Sequence, residues 1–189
     1  MVAVGRTAGR SPEQTRAAIL DAASRLVRER GVSASLDDVA RRAGVSKGGL
    51  LYHFANKHDL HLALATDWLE RFRTAVLAAI PADDDAPGRL TRAYVRVSID
   101  GALDAAASRD ALVVIAHLSS VDAVIDLARA DARRWNDDLR ADGLPEDVLS
   151  LVVAAADGAS AQPAWGGEPT PEELARLREQ LLALAAPPG

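Results

Sequence analysis

One short stretch of the chain contains several hydrogen-bond donor side chains together with two glycines, which have no side chain. Cationic and hydroxyl donors beside glycines suit close contact with a polyanion such as nucleic acid, because phosphate oxygens accept from such donors. Local packing or capping remains the alternative for the tyrosine and the first histidine of the stretch. The candidate residues are Ser46, Lys47, Gly48, Gly49, Tyr52, His53 and Lys57.

Signatures of catalysis are missing from the sequence. It has no Gly-rich phosphate loop, no Gly-x-Ser-x-Gly elbow and no His-Glu-x-x-His motif. The absence of cysteine excludes disulfides, thiolate metal sites and cysteine nucleophiles. His58 and His61 are one helical turn apart, but no acid is clearly placed to complete a metal site. We therefore expect no enzyme activity, no cofactor and no metal.

Two short helices must position the donor stretch. Ser35 with Asp38 predicts the start of a helix that Gly44 ends, and Ser46 predicts the start of a second helix through about Phe54. A glycine in the left-handed conformation lets two helices meet at a steep angle, as in a helix-turn-helix. Two glycines near the start of the second helix cost about 1 kcal/mol each against alanine, which favours close approach to a partner.

Helical patterning continues through the rest of the chain, and no segment shows the alternation of a strand. The sequence predicts an all-α fold of about nine helices, with an N-terminal three-helix head and a C-terminal helical bundle. We expect the head to comprise residues 1–57 and the body residues 58–189. The other predicted helices lie at 12–30, 56–80, 89–107, 109–118, 120–141, 145–160 and 171–186.

The charge is distributed unevenly between these two parts. Residues 1–57 contain ten Lys/Arg and five Asp/Glu, a net charge of +5, within a chain whose total is −5. A basic head on an acidic body suits contact of the head with a polyanion. Arg6 and Arg10 precede the first helix and could reach a minor groove, although a disordered basic tail is an equal alternative.

Residues 35–60 carry a more specific pattern. They contain Leu-Asp-Asp-Val-Ala-x-x-Ala-Gly-Val-Ser-Lys-Gly from Leu36 to Gly48, then His-Phe-x-x-Lys-x-x-Leu from His53 to Leu60. In this pattern the chain resembles the TetR family of bacterial transcriptional regulators. The resemblance covers roughly residues 12–62 and implies a homodimer, whose subunits join a DNA-binding head to a body that binds a small effector.

The resemblance also implies roles for individual residues. Lys47, Gly48 and Gly49 correspond to base-proximal positions, and the backbone contacts correspond to Ser35, Tyr52, His53 and Lys57. Two departures weaken this correspondence. Leu51 stands where the family often has a tyrosine, so that phosphate contact is lost. Asp37 stands where many relatives have a polar or basic residue, so we expect no base contact from it.

In the body, aromatic side chains with a few polar neighbours are candidates to line an effector cavity. Plain core packing is the alternative for each aromatic residue, and a hydrogen-bonded core histidine is the alternative for His117. The candidates are Trp68, Phe72, Tyr94, Ser98, His117 and Trp135.

The last two helices present apolar stripes that suit a four-helix dimer seam, with intramolecular packing as the alternative. The stripes are Leu149, Val152, Val153 and Ala156 in one helix, and Leu174, Leu177, Leu181 and Leu184 in the other.

The interpretation that joins these observations is a ligand-responsive repressor, which binds a near-palindromic DNA operator as a homodimer and is released by a small molecule. A helical carrier protein whose head no longer reads DNA is the main alternative, and an enzyme with an unrecognised site is a distant one. The longest apolar stretches are six residues each, among them Ala111–Ala116 and Leu151–Ala156. We therefore expect a cytoplasmic protein without a membrane partner.

Overall fold

The computed structural model describes residues 10–187 of the chain, apart from the side chain of residue 164. Within these residues there are nine α-helices and no strand, in agreement with the predicted all-α class. The helices are α1 (Pro12–Arg30), α2 (Leu36–Ala43), α3 (Lys47–His53), α4 (Lys57–Ala78), α5 (Arg89–Ala102), α6 (Ala105–Leu118), α7 (Asp122–Ala141), α8 (Glu146–Ala161) and α9 (Pro171–Leu184).

Local sequence explains most helix ends. Ser11, Ser35 and Thr170 each form a capping box, in which the hydroxyl accepts from a backbone N–H three residues on and that residue's side chain accepts in return. Gly44 ends α2 with φ of 69°, the left-handed conformation that a helix-turn-helix corner requires. The predicted starts and stops of α1, α2 and α9 are therefore confirmed to within about two residues.

The break between α5 and α6 was expected near residue 108 and lies instead at residues 103–104. Asp104 causes the difference, because its carboxylate accepts from the N–H of Ala107 at 2.9 Å and its carbonyl accepts from Ser108. An aspartate that caps α6 in this way ends α5 earlier than the apolar pattern indicates. Two 3₁₀ turns were also not predicted, Gly31–Ser33 after α1 and Gln162–Trp165 after α8.

The chain divides into two compact units. The first contains the described residues up to Trp68 together with Val113–Leu127. Its core is formed by apolar side chains of α1, α2, α3 and the first half of α4, joined by residues from the end of α6 and the start of α7. The buried residues of this core include Ile19, Ala40, Val45 and Phe54.

The second unit contains Leu69–Leu112 and the described residues from Ala128 onward. Helix α5 packs against both α8 and α9, and one cluster of buried residues joins these three helices. A second cluster joins α4, α5, α7 and α8. The boundary expected after residue 57, between a DNA-binding head and an effector-binding body, was a division by function. It differs from the division into packing units and stays a prediction.

The end of α7 caps the start of α5 in this second unit. The carboxylate of Asp142 accepts from the N–H groups of Leu90 and Thr91 at 3.1 and 2.8 Å, and from the buried Thr91 hydroxyl at 3.0 Å. Arg92 donates to the carbonyl of Ala185 at 2.8 Å and pairs with Asp84. These bonds fix the end of α9 to the loop before α5.

No single helix in residues 10–187 is long and apolar enough to cross a membrane. Helices α6 and α7 reach the required length and apolarity only as a pair, across a bend of 120°.

Candidate functional site

Helix α3 has one buried face and one exposed face. Leu50 is fully buried and Phe54 nearly so, and together they anchor the helix to the core of the first unit. Lys47, Gly48 and Tyr52 are exposed, Tyr52 to 82%. Gly48 and Tyr52 are four positions apart and share a face of the helix, whereas Lys47 is three positions before the buried Leu50 and lies at the edge of the exposed surface. The structure therefore leaves three of the predicted DNA-contacting residues of α3 open to solvent.

The two glycines of α3 have different surroundings. A Cβ atom at Gly49 would lie 3.2 Å from the hydroxyl oxygen of Ser46, which is the cap of the same helix. A Cβ at Gly48 would meet nothing within 4 Å. Internal packing therefore gives a reason for glycine at position 49 but none at position 48. The open space at Gly48 would let a partner approach the backbone of α3 closely.

The exposed lysine of α3 pairs with an acid at the start of α2. Lys47 Nζ lies 3.1 Å from Oδ1 and 3.2 Å from Oδ2 of Asp37. Both side chains are about 60% exposed. Sequence reasoning noted Asp37 as unfavourable to DNA but did not predict this pair. The two residues are ten positions apart in different helices, so no local spacing indicated the pair.

The serines of the predicted site serve as helix caps. The hydroxyl of Ser35 donates to Asp38 at 2.7 Å and accepts from its N–H at 3.2 Å. The bonds from Ser35 lower the pKa of the Asp38 carboxyl. The hydroxyl of Ser46 accepts from Gly49 N–H at 3.0 Å. These bonds leave both hydroxyls exposed at the surface, and their contact with DNA stays a prediction.

His53 and Lys57 lie at the far end of α3 and at the first position of α4, where both are half-buried. The ring of His53 contacts that of Tyr52 edge to face, with centroids 5.2 Å apart. Arg10 donates to the carbonyl of Ala43 at 3.2 Å, beside the turn between α2 and α3. Arg6, the other arginine before α1, lies outside the described residues.

A buried histidine follows on α4. His61 is almost fully buried, and burial lowers its pKa, helped by the charges of Lys57 and His58. In the described part of the chain, no three metal-ligating side chains converge.

In the second unit, the structure brings together three of the predicted effector-binding residues. The rings of Phe72, Tyr94 and Trp135 contact one another edge to face, with centroids 5.3 to 5.7 Å apart. The Tyr94 hydroxyl donates to Asp157 at 2.6 Å. Burial raises the pKa of Tyr94, and the bond to Asp157 adds to the effect. Such edge-to-face pairs add about 0.5–1.5 kcal/mol beyond the area that they bury.

A buried arginine next to these rings was missed by the sequence analysis. The guanidinium of Arg73 lies 4.1 Å above the ring of Trp135 and donates to Asp138 at 2.6 Å. Asp131 also lies 4.0 Å from Arg73, and burial raises the pKa of Asp131. Nε and Nη2 of Arg73 are buried without a hydrogen-bond partner. Spacing did indicate an aromatic cluster, but a charged residue inside it could be found only in three dimensions.

A fourth predicted effector-binding residue, Ser98, is buried on α5 one turn after Tyr94, and its side chain is a hydrogen-bond partner of the Tyr94 hydroxyl. The carbonyl of Ser98 accepts from the Ser160 hydroxyl at 3.0 Å. Trp68 and His117 belong to the first unit. The exposed His117 faces Gly31, where a Cβ atom would lie 3.2 Å from His117 Nδ1. A role for these three residues in binding an effector stays a prediction.

The apolar stripes expected at a dimer seam mostly pack within the chain. Five of the eight residues are buried in it: Leu149, Val152, Ala156, Leu174 and Leu181. The expectation for these five side chains is wrong, because α8 and α9 use that face to pack against the second unit's own core. An exposed apolar groove remains beside them, where Leu151 and Leu184 are 58% and 48% exposed.

Sequence comparisons match both parts of the chain to one family. Residues 19–64 match the family described as "Bacterial regulatory proteins, tetR family". Residues 88–186, more than half of the chain, match the family described as "Tetracyclin repressor-like, C-terminal domain".

Individual relatives agree with these matches. The HTH-type transcriptional regulator AcrR of Shigella flexneri is 41% identical over 58 residues, 30% of this chain and 27% of the relative. The HTH-type transcriptional activator FasR of Mycolicibacterium smegmatis is 36% identical over 89 residues, 47% of this chain and 40% of the relative. The matched part of the chain thus spans well under half the length of these relatives.

A solved structure is similar along nearly the whole chain. It is a member of the TetR family from Streptomyces coelicolor, 29% identical, with a TM-score of 0.66. The match covers 90% of this chain and 98% of the other.

Proposed function

The chain belongs to the TetR family of helix-turn-helix transcriptional regulators, and from that premise we propose that it is a ligand-responsive repressor. In this proposal a homodimer binds a near-palindromic operator through α3, and a small molecule bound by the second unit releases the DNA.

One observation carries the DNA-binding part of the proposal. The exposed surface of α3 carries Lys47, Gly48 and Tyr52, and a Cβ atom at Gly48 would meet nothing within 4 Å, so a partner could approach the backbone there. An exposed helix of a helix-turn-helix enters the major groove, where lysine donates to guanine O6 and N7. Half-buried Lys57 and His53 suit the flanking phosphates.

The exposed apolar groove on α8 and α9 supports dimer formation. Leu151 and Leu184 line one groove together with Ala155 and Leu181, and a contiguous exposed apolar patch is typical of an interface. A two-fold axis through this groove would bring the same residues of two subunits together. Two heads then read two half-sites, whose centres are spaced by about one or more helical turns of DNA.

Helix α4 supports a link between effector and DNA. It runs without interruption from Lys57 to Ala78 and carries Phe72 fifteen residues after Lys57. A ligand that displaces Phe72 would thus move the helix that begins at the DNA backbone. A coupling free energy of about 1–3 kcal/mol would weaken DNA binding about 5- to 150-fold.

The proposal includes repression rather than activation. This choice needs a test, because one relative is described as a transcriptional activator. In a repressor, DNA affinity is highest without ligand. A compound found by its ability to raise the unfolding midpoint of the protein provides the probe. We expect that compound to weaken binding to a selected DNA duplex. A compound that strengthens binding would instead indicate a ligand-dependent activator or a corepressed regulator.

Two substitutions test the proposed parts separately. Leu151→Glu places a charge in the apolar groove, so the molar mass in light scattering should fall to that of a monomer and DNA affinity should fall with it. Phe72→Ala should blunt release by the compound while uninduced DNA affinity stays within about twofold. A monomeric wild-type protein, or full release retained in Phe72→Ala, would contradict the corresponding part.

A further inference from the structure

We propose that Asp37 is a selectivity residue of the DNA-binding surface. Its carboxylate leaves Lys47 able to donate to base edges but disfavours contact between Lys47 and the phosphates of non-operator DNA. This inference rests on the proposed DNA-binding function.

The geometry that motivates the proposal is the pairing of Lys47 with both oxygens of the Asp37 carboxylate, at 3.1 and 3.2 Å. Lysine carries its charge on a flexible stem, and a partner on the neighbouring helix restricts where that charge can go. The pair joins the first turn of α2 to the first turn of α3, and both side chains are exposed on the surface assigned to DNA. Asp37 therefore holds the position of the residue that we expect to read bases.

Asp37 is not needed for the cap of α2. The neighbouring Asp38 forms the capping box with Ser35 and also pairs with Arg41. A first-turn acid does favour the helix dipole, which is the purely structural role that Asp37 could have. That role would affect folding of the helix but not the choice between two DNA sequences. A comparison of stability with DNA selectivity therefore separates the two roles.

The ammonium group explains why the pair discriminates between bases and phosphates. It has three N–H donors, so Lys47 can donate to a guanine edge while it still donates to Asp37. The base edge is neutral, and no like charges meet. A phosphate that shared the same ammonium would lie beside the Asp37 carboxylate, and two anions would repel each other. Reaching a phosphate thus requires the ion pair to break.

The experiment uses two duplexes of equal length. One is selected by the wild-type protein from a random-sequence library, and the other is a shuffled version of it. Asp37→Asn should raise affinity for the shuffled duplex about two- to five-fold, the range expected when an exposed ion pair no longer competes. The log–log salt slope on that duplex should steepen by about 1, for one added phosphate contact. Affinity for the selected duplex should change less than twofold.

Two further variants make the result specific. In a Lys47→Ala background, Asp37→Asn should no longer change the ratio of the two affinities. The matched control is Asp21→Asn, since Asp21 is an equally exposed acid bonded to Arg25 at 2.8 Å on α1. It changes the net charge by the same amount and should alter both affinities equally and weakly. Asp37→Ser serves as a second variant if the asparagine lowers the unfolding midpoint.

Three outcomes would overturn the inference. They are an equal gain on both duplexes, a gain that matches Asp21→Asn, and a gain that persists without Lys47. Failure of the wild-type protein to select any sequence would instead overturn the proposed DNA-binding function, and this inference with it. The two failures are therefore distinguishable.

Discussion

Replacement of Gly48 by alanine should separate stability from DNA binding. The structure leaves open space around the added methyl group, because no atom lies within 4 Å of a Cβ built at this position. Glycine in a helix costs about 0.5–1 kcal/mol relative to alanine. The variant should therefore be more stable than the wild-type protein by up to about 1 kcal/mol, with the lower end favoured so close to the helix start.

DNA binding should change in the opposite direction. If the backbone at Gly48 lies against a groove wall, the methyl group occupies space that the DNA needs. Overpacking a close contact costs about 1–3 kcal/mol. This cost corresponds to a loss of affinity of about 5- to 150-fold, since 1.4 kcal/mol is a factor of ten. A selected duplex titrated by fluorescence anisotropy, together with urea unfolding of each protein, measures both effects.

Two other glycines serve as matched controls. Gly101 on α5 is also exposed with open space around a Cβ, so Gly101→Ala should gain stability and leave DNA affinity unchanged. Gly49→Ala should gain less stability, because its Cβ would lie 3.2 Å from the Ser46 hydroxyl that caps α3. Unchanged DNA affinity in Gly48→Ala would refute the reasoning that an external partner approaches this backbone.

Three further predictions test other parts of the structure. Lys57→Ala should weaken binding equally on selected and shuffled DNA and lower the log–log salt slope by about 1, and a loss on selected DNA alone would rule out a phosphate contact. Asp142→Ala removes the cap of α5 and leaves the buried Thr91 hydroxyl without its acceptor. The free energy of unfolding, measured in urea, should therefore fall by about 2–4 kcal/mol. A loss below about 0.5 kcal/mol would contradict this role of Asp142. Burial lowers the pKa of His61 below 6.5 in the folded state, so the unfolded state binds the proton more readily and stability should fall as the pH decreases below about 6.5. His61→Gln should reduce that slope in unfolding measured at pH 5.5 and 7.5, and an identical slope would show that other groups cause it.

Sequence reasoning was sufficient where the determinants are local. Capping boxes at Ser11, Ser35 and Thr170 and the left-handed Gly44 depend on residues within four positions of each other, so the pattern alone indicated them. The head motif likewise lies in one continuous stretch. The break at Asp104 is also set by local residues. The apolar periodicity nevertheless continues across it, so the pattern indicated a helix that runs past the aspartate cap.

Distant contacts could not be predicted in the same way. Asp142 caps a helix that begins some fifty residues earlier, and Arg73 pairs with Asp138 across 65 positions. The stripes on α8 and α9 show why periodicity is ambiguous. An apolar face fits a partner subunit and the chain's own core equally well, and only the packing against α5 assigns most of it to the core.

The most direct test of the central claim is selection of DNA by the wild-type protein from a library of random-sequence duplexes, followed by sequencing. The account predicts enrichment of a near-palindrome whose half-site centres are about one or more helical turns apart, bound by two subunits or a multiple of two. Recovery of DNA without any enriched sequence, or of a single half-site without symmetry, would contradict it.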